Sequence, residues 1–354
     1  MRIAAVQHDI VWENGDATRT RLTPLIAQAA AGGARVIVLS EMYATGFSMR
    51  PERVAENPGG PNEQFLVEQA ATLNVWLIGS IAQWADLQSA QDPFHGTSQD
   101  GTSQDGTPPD GTPPDGTPPD GTPPDGTPPD GTPPDGTPPD GTPPDGIPPD
   151  GIPPDGTAQD ATSPNVTSAA RHIPTRRAAN VAVIAGPHGE LHRYSKIHPF
   201  SYAGEHRRYQ AGHEVLTVRI EDLRVTVFIC YDLRFADEFW SCATDTDVYV
   251  VPANWPEPRR EHWRVLLRAR AIENQAYVIG CNRIGDVEPS EQGPSDQHGR
   301  GAARLRYTGD SAIIDPLGRT LAEASLTETV LSAEVDAAEV RRVRARFPFL
   351  VDRR

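Results

Sequence analysis

Short apolar runs alternate with helix-like segments at the start of the chain. Residues 1–7 contain the run Ile-Ala-Ala-Val and predict a buried strand. Residues 16–31 begin at an Asp and end at Gly32-Gly33, which is typical of a capped helix. The branched residues of 35–40 predict a second buried strand. A strand, a helix and a strand in this order indicate a right-handed crossover between parallel strands.

The alternation continues along the chain and predicts an α/β fold. Further helices are expected at 61–73 and 261–276, the second with an apolar side formed by Trp263, Leu266, Leu267 and Ile272. Further strands are expected at 75–84, 177–185, 225–230, 248–252, 277–282, 307–314 and 330–335. The remaining segments are expected to be a long polar and aromatic loop at 191–212, a polar loop at 285–303 and a basic tail after residue 335.

A tandem repeat interrupts this pattern between two expected strands. Residues 96–160 are thirteen consecutive pentads, most of them Gly-Thr-Pro-Pro-Asp. Pro-Pro favours polyproline II and Asp-Gly breaks it, so the segment is expected to be solvated and disordered, without a core of its own. We therefore expect a single domain, 1–354, interrupted by a loop insertion at 86–170. Lengthening such a loop costs only about 1–1.5 kcal/mol of closure entropy.

Composition adds little once the repeat is set aside. The net charge of the 354 residues is −16, but the pentads hold thirteen Asp and no other charged residue, so the remainder carries only −3. This balance indicates neither a nucleic-acid partner nor a membrane partner. The three cysteines form no disulfide framework and no Cys-x-x-Cys metal pair. Because the amino terminus lacks the features of a signal peptide, we expect a cytoplasmic protein.

Ionisable side chains follow or end several of the apolar segments. Glu41 comes directly after the second strand, and Cys230 ends the strand at 225–230. Since the carboxyl ends of strands line the ligand crevices of open α/β sheets, both are expected at one rim. Lys196 and Glu205 lie in the segment 191–212. Taken singly, each also fits a structural role as a core cysteine, a strand-end carboxylate or a surface charge.

Together these residues fit amide hydrolysis. A cysteine with a pKa of about 8.5 is mostly a thiol at neutral pH and needs a base. Glu41 can serve if burial raises the pKa of its carboxyl. The thiolate would attack the carboxamide carbon, with the Lys196 ammonium and the Tyr231 backbone N–H stabilising the oxyanion. Ammonia would leave with a proton from Glu41, which would then activate water to hydrolyse the thioester.

Three segments carry a family resemblance. Leu-Ser-Glu-Met-Tyr-Ala-Thr-Gly-Phe-Ser, Tyr-Ser-Lys-Ile-His-Pro-Phe and Phe-Ile-Cys-Tyr-Asp-Leu-Arg-Phe resemble, in order, the signature segments of the carbon–nitrogen hydrolase (nitrilase) superfamily. The resemblance implies a catalytic triad of Glu41, Lys196 and Cys230, with Glu205 as a second glutamate. Residues 253–263, 266–285 and 307–318 resemble the omega-amidase branch, whose members hydrolyse the terminal amide of 2-oxo-dicarboxylic monoamides such as 2-oxoglutaramate.

The resemblance also implies an αββα sandwich, a homodimer formed through a helical face, and no metal or organic cofactor. An arginine such as Arg234 or Arg259 is a candidate to bind a substrate carboxylate. Two alternatives remain open. One is a carbamoylase or nitrilase of the same superfamily, which differs in the substrates it accepts. The other is a non-catalytic scaffold that presents the acidic Pro-rich repeat to a partner, for which residues 96–160 would be essential and the thiol dispensable.

Overall fold

The structure of the protein is a computed structural model that describes residues 1–85, 177–288 and 304–353. These residues belong to one compact unit. The insertion expected at 86–170, with its repeat at 96–160, and most of the polar loop expected at 285–303 lie outside the described residues. No helix within the described ranges is long and apolar enough to cross a membrane.

The elements follow one another along the chain in nearly the expected order. The strands are β1 Arg2–Gln7, β2 Val36–Val38, β3 Trp76–Trp84, β4 Ala178–Ala185, β5 Leu191–Ser195, β6 Tyr209–Gln210, β7 Thr217–Ile220, β8 Leu223–Val227, β9 Val248–Ala253, β10 Tyr277–Asn282, β11 Ile284–Val287, β12 Leu305–Ile314, β13 Thr320–Ser325 and β14 Thr329–Glu334. The helices are α1 Gly15–Ala31, α2 Pro51–Val54, α3 Pro61–Leu73, α4 Glu205–Arg208, α5 Ala236–Ser241, α6 Arg260–Asn274 and α7 Ala337–Arg346.

The strands form two mixed sheets. The first has the order β14-β1-β2-β3-β4-β5, with β6 beside β4, and the second has the order β11-β12-β10-β9-β8-β7, with β13 beside β12. Three neighbouring strands are parallel in each sheet, β1 to β3 in the first and β8 to β10 in the second. The crossover from β1 through α1 to β2 is therefore confirmed. Parallel strands bring their carboxyl ends to one edge of each sheet, and that edge holds the candidate site.

The two sheets pack face to face between outer layers of helices. Ile3 and Val38 of the first sheet share one buried cluster with Val250 and Ile279 of the second. The alternate residues of the first sheet, such as Val6 and Ile37, pack instead with Leu22 and Ile26 of α1 and Leu66 of α3. Trp263 and Leu267 of α6 cover the second sheet. Each fully buried aliphatic side chain contributes about 1.5–3 kcal/mol. The expected αββα sandwich is confirmed.

Three local expectations were wrong. The segment 191–212 begins with a strand, β5, because an edge strand with one solvated face tolerates polar residues. The basic tail is the helix α7, capped by the Asp336 side chain, with its valines buried and most of its arginines outside. Ile272 is 47% exposed, so it lies away from the buried side of α6.

Candidate active site

The four predicted ionisable residues come together at the carboxyl edge of the two sheets. Glu41 follows β2 and Lys196 follows β5, both from the first sheet, whereas Cys230 follows β8 of the second sheet. Glu205 opens the short helix α4. All four are buried, and Cys230 is the most accessible at 8% exposure. Burial of ionisable groups is unfavourable unless they form ion pairs or hydrogen bonds, and these residues interact with one another.

The lysine lies between the two glutamates. Lys196 Nζ donates to Glu41 Oε1 at 2.9 Å and to Glu205 Oε2 at 2.9 Å. The Glu41 carboxylate is also close enough to the Cys230 thiol for its charge to raise the pKa of that thiol. The Glu205 carboxylate also accepts the backbone N–H of Phe200, which fixes it in the segment that carries the lysine. Glu41 therefore bonds to the ammonium and lies near the thiol.

An asparagine that the sequence analysis missed links the two glutamates. Asn180 Nδ2 donates to Glu41 Oε1 at 2.8 Å and to Glu205 Oε1 at 3.3 Å. Its Oδ1 accepts the Ser80 hydroxyl at 2.9 Å, and Ser80 in turn accepts the Met42 backbone N–H. This chain of donors fixes the orientation of the Asn180 amide. Its NH₂ group must therefore face the carboxylates.

A second missed asparagine holds Glu41 from the other sheet. The Asn254 backbone N–H donates to Glu41 Oε2 at 2.9 Å, and Asn254 Nδ2 donates to the Glu41 backbone carbonyl at 2.5 Å. Both oxygens of the Glu41 carboxylate thus accept N–H donors. The available sequence signal was a single polar residue inside an apolar strand, at Asn180 in Ala-Ala-Asn-Val-Ala, and at the end of one, at Asn254.

The nucleophile candidate has a strained backbone. Hydrogen bonding continues from β8 to Phe228, whose N–H donates to the Val250 carbonyl, and Cys230 then opens a turn of 3-10 helix. Its φ is +45°, in the left-handed region that non-glycine residues rarely adopt. Such a conformation costs about 1–3 kcal/mol. The turn leaves the Tyr231 backbone N–H without an acceptor among the described residues.

The electrostatics separate the roles of the ionisable groups. Burial raises the pKa of the Cys230 thiol, the charge of Glu41 raises it further, and Lys196 only partly offsets both. Burial alone would lower the pKa of the Lys196 ammonium, but Glu205 and Glu41 outweigh burial and raise it. Burial also raises the pKa of Glu205 despite the nearby lysine. At neutral pH Cys230 is therefore a thiol and Lys196 is a cation.

A cavity of about 80 Å³ opens above the thiol. Its lining is mostly aromatic and apolar, with two arginines, and comprises Phe47, Lys196, Phe200, Ala203, Cys230, Tyr231, Arg234, Asn254, Trp255, Pro256, Arg259, Leu305 and Tyr307. Arg234 stacks on Trp255 at 4.7 Å, and Arg259 lies over the Phe200 ring at 5.4 Å. Neither guanidinium has a carboxylate within ion-pair distance in the described part of the chain. The cavity thus combines a thiol with two cations that lack an anionic partner.

A protein-family model matches most of the chain. The sequence model of the carbon-nitrogen hydrolase family matches residues 2–98 and 166–345. The chain belongs to the carbon-nitrogen hydrolase family. The match leaves out residues 99–165, which hold most of the pentads, and it includes all three residues of the predicted triad.

Curated relatives are found in the same family. The chain is 41% identical to omega-amidase YafV of Escherichia coli strain K12 over 173 residues, which are 48% of this chain and 61% of the relative. It is 36% identical to the 2-oxoglutaramate amidase of Bacillus subtilis over 175 residues, 49% of this chain and 62% of the relative. The chain therefore spans about three fifths of the length of the curated relatives it matches.

A solved structure has the same fold. The crystal structure of a CN-hydrolase superfamily protein from Xanthomonas campestris superposes with a TM-score of 0.66 at 26% identity, and the match covers 100% of this chain and 97% of that one. The Xanthomonas protein carries an arsenic adduct in its active site.

Proposed function

We propose that the protein is a cofactor-independent amidase that hydrolyses the terminal carboxamide of a small ω-amide, of the 2-oxoglutaramate or 2-oxosuccinamate type, to the acid and ammonia. The observation that carries this proposal is the buried group of Cys230, Glu41 and Lys196, in which Lys196 donates a hydrogen bond to Glu41 and Cys230 lines a small cavity. The names of two relatives, an omega-amidase and a 2-oxoglutaramate amidase, support the same substrate class.

In the proposed reaction Glu41 takes the thiol proton as Cys230 Sγ attacks the carboxamide carbon. The Lys196 ammonium and the Tyr231 backbone N–H stabilise the oxyanion of the tetrahedral intermediate. Glu41 returns its proton to the leaving ammonia, and the acyl group remains on Cys230 as a thioester. Glu41 then activates a water molecule that hydrolyses the thioester. Glu205 supports these steps by holding the lysine.

The two arginines of the cavity support an anionic substrate. Burial lowers the pKa of the Arg234 guanidinium, and the nearby charge of Arg259 lowers it further. Two neighbouring cations without an anionic partner repel one another, and a bound carboxylate would relieve that repulsion. Arginine also binds carboxylates through paired N–H donors. We therefore propose that Arg234 and Arg259 bind the carboxylate at the far end of the substrate.

Replacing either arginine by glutamine is expected to raise KM for the carboxylate-bearing substrate roughly 10- to 100-fold, because a hydrogen bond to a charged group contributes about 1.5–3 kcal/mol. The KM for an uncharged aliphatic amide should change little. Steady-state kinetics of Arg234→Gln and Arg259→Gln with both substrates measure this, and Arg264→Gln, a half-exposed arginine of α6 outside the cavity, is the matched control. An equal rise in KM for charged and uncharged amides would contradict carboxylate binding.

Ammonia release from a panel of substrates tests the proposed activity. 2-Oxoglutaramate is compared with glutamine, asparagine, an N-carbamoyl amino acid and an aliphatic nitrile. Turnover that strongly favours 2-oxoglutaramate supports the omega-amidase assignment. Turnover of the carbamoyl compound or the nitrile instead would favour the carbamoylase or nitrilase alternative and retain the same three residues.

We also propose a homodimer that forms through the outer face of α6. Val265 and Ile272 are seven residues apart on that helix, 61% and 47% exposed, and therefore share one face. Leu317 is 54% exposed, and the neighbouring Gly318 packs against Ile272. Adjacent exposed apolar side chains mark an interaction surface, and a second copy of the chain is the partner that the family resemblance implies.

The substitution Ile272→Glu is expected to convert the dimer to a monomer, because it buries a carboxylate in an apolar interface. Sedimentation velocity of the wild type and the variant measures the change. Leu326→Glu is the control, since Leu326 is also 53% exposed but lies in the turn between β13 and β14. A monomeric wild-type protein, or an Ile272→Glu variant that remains dimeric, would contradict this interface.

Two further proposals rest on the sequence alone. One is the organisation as a single domain, 1–354, interrupted by the insertion at 86–170. The other is a cytoplasmic location.

A further inference from the structure

A third carboxylate lies beside the candidate site without a direct ion pair. Asp232 is fully buried and has no arginine, lysine or histidine within ion-pair distance among the described residues. Instead, its carboxylate accepts three neutral donors. Asp232 Oδ2 accepts the Ile229 backbone N–H at 2.9 Å and the Tyr194 hydroxyl at 2.8 Å, and Oδ1 accepts the His198 backbone N–H at 2.8 Å.

These donors belong to the two segments that carry the thiol and the lysine. Ile229 directly precedes Cys230 after β8 of the second sheet. Tyr194 and His198 lie two residues before and two residues after Lys196, at the end of β5 of the first sheet. A single buried carboxylate therefore bonds to both sheets at the point where they present the two groups.

We propose that Asp232 is a positioning residue, which holds the turn of Cys230 at a fixed separation from Lys196 through its bonds to the Ile229 and His198 backbone N–H groups. The inference rests on the proposed function, in which Cys230 is the nucleophile. The bond to Ile229 also holds the turn in which Cys230 has its φ of +45°. A nucleophile in a strained conformation needs surrounding contacts that impose that conformation.

Only an ionised carboxylate suits this position. Each oxygen faces at least one N–H donor, so a side chain with its own N–H or O–H would direct a donor toward another donor. Burial raises the pKa of Asp232 to about 6, with Lys196 and the three hydrogen bonds acting in the opposite direction. At neutral pH the group is therefore mainly ionised and able to accept all three bonds.

The test compares Asp232→Asn with Tyr194→Phe. The first replaces one accepting oxygen by an NH₂ group that opposes a backbone N–H, whereas the second removes the side-chain donor and leaves both backbone bonds intact. We expect Asp232→Asn to lower kcat by about 100-fold and to leave KM within about threefold of the wild-type value. Displacement of a catalytic group by about 1 Å lowers the rate by about this factor. Alkylation of Cys230 by iodoacetamide should slow by about tenfold or more. Tyr194→Phe should change each quantity less than about fivefold.

The outcomes separate positioning from general stability. An Asp232→Asn protein that is folded by circular dichroism and keeps kcat and the alkylation rate within about threefold overturns the proposal. The proposal is also overturned if kcat and the alkylation rate fall as far in Tyr194→Phe as in Asp232→Asn, because that result indicates a general loosening of the interior. If the wild type turns over no amide, the proposed function fails, and the alkylation rates alone decide the role of Asp232.

A measurement on the wild type covers the case in which Asp232→Asn does not fold. Amide hydrogen exchange at Ile229 and His198 should show protection within about tenfold of each other, since both N–H groups bond to one buried carboxylate. The substitution Tyr194→Phe should lower the exchange protection of the two amides by the same factor. Protection that differs by several orders of magnitude between the two amides would overturn the proposed coupling.

Discussion

The substitution Cys230→Ala is expected to abolish ammonia release from every amide the wild type accepts, with a loss of about 10⁴-fold or more. Cys230 supplies the thiol of the cavity, and neither Glu41 nor Lys196 can replace it as a nucleophile because each is committed to charge-assisted hydrogen bonds. The other cysteines cannot substitute. Cys281 is fully buried between the sheets, and Cys242 lies at the end of α5. Ammonia release from 2-oxoglutaramate is the measurement.

The matched control is Cys242→Ala, which removes a partly buried thiol outside the cavity and should leave kcat unchanged. Brief incubation of the wild type with substrate, followed by acid quench and mass spectrometry, should show an acyl adduct on the peptide that contains Cys230. A Cys230→Ala protein that releases ammonia at the wild-type rate would contradict the thioester mechanism. If Cys230→Ala loses activity but the wild type shows no acyl adduct at any time, the result shows that the thiol is essential and does not support a thioester.

The sequence predicted the site residues that end or follow well-patterned strands. Glu41 comes just after a run of branched residues, and Cys230 comes at the end of another. The hydrophobic pattern therefore predicted that Glu41 and Cys230 lie where strands end, at the edge of a sheet. Because the strands around each residue are parallel, their carboxyl ends lie at the edge that holds the candidate site. The αββα arrangement itself came from the family resemblance. Pattern alone gives strands and crossovers, but it does not show that two sheets pack face to face.

The rest of the site depends on contacts between residues distant in the chain. Asn180 reaches Glu41 across 139 positions and Asn254 reaches it across 213, so no local pattern marks either as a partner. Asp232 is close to the nucleophile in sequence, yet its role depends on a hydrogen bond to His198 from the other sheet. The strand β5 was missed for a related reason, because its pairing with β4 rather than its own composition makes it a strand.

Replacing Glu41 by glutamine is expected to lower kcat/KM by about 10³-fold at pH 7, within the range for loss of a general base. In either orientation, the glutamine NH₂ group would oppose a donor, either Lys196 and Asn180 or the Asn254 backbone N–H. More important for the chemistry, glutamine cannot accept the thiol proton. Burial raises the pKa of Cys230, so without Glu41 the thiol stays protonated at neutral pH.

The variant Glu41→Gln should also show a distinctive pH profile. As pH rises toward the pKa of the thiol, solvent hydroxide can ionise Cys230, and the activity of the variant should climb into the alkaline range while that of the wild type does not. Glu63→Gln is the matched control, because Glu63 is also buried but pairs with Arg193 outside the cavity, and its loss should reduce stability while leaving the pH profile of kcat/KM unchanged. A Glu41→Gln protein within about threefold of wild type at pH 7 would exclude Glu41 as the base. A loss that stays constant up to alkaline pH would instead assign Glu41 to holding Lys196 and Asn254 in place, because then the missing function is not proton removal.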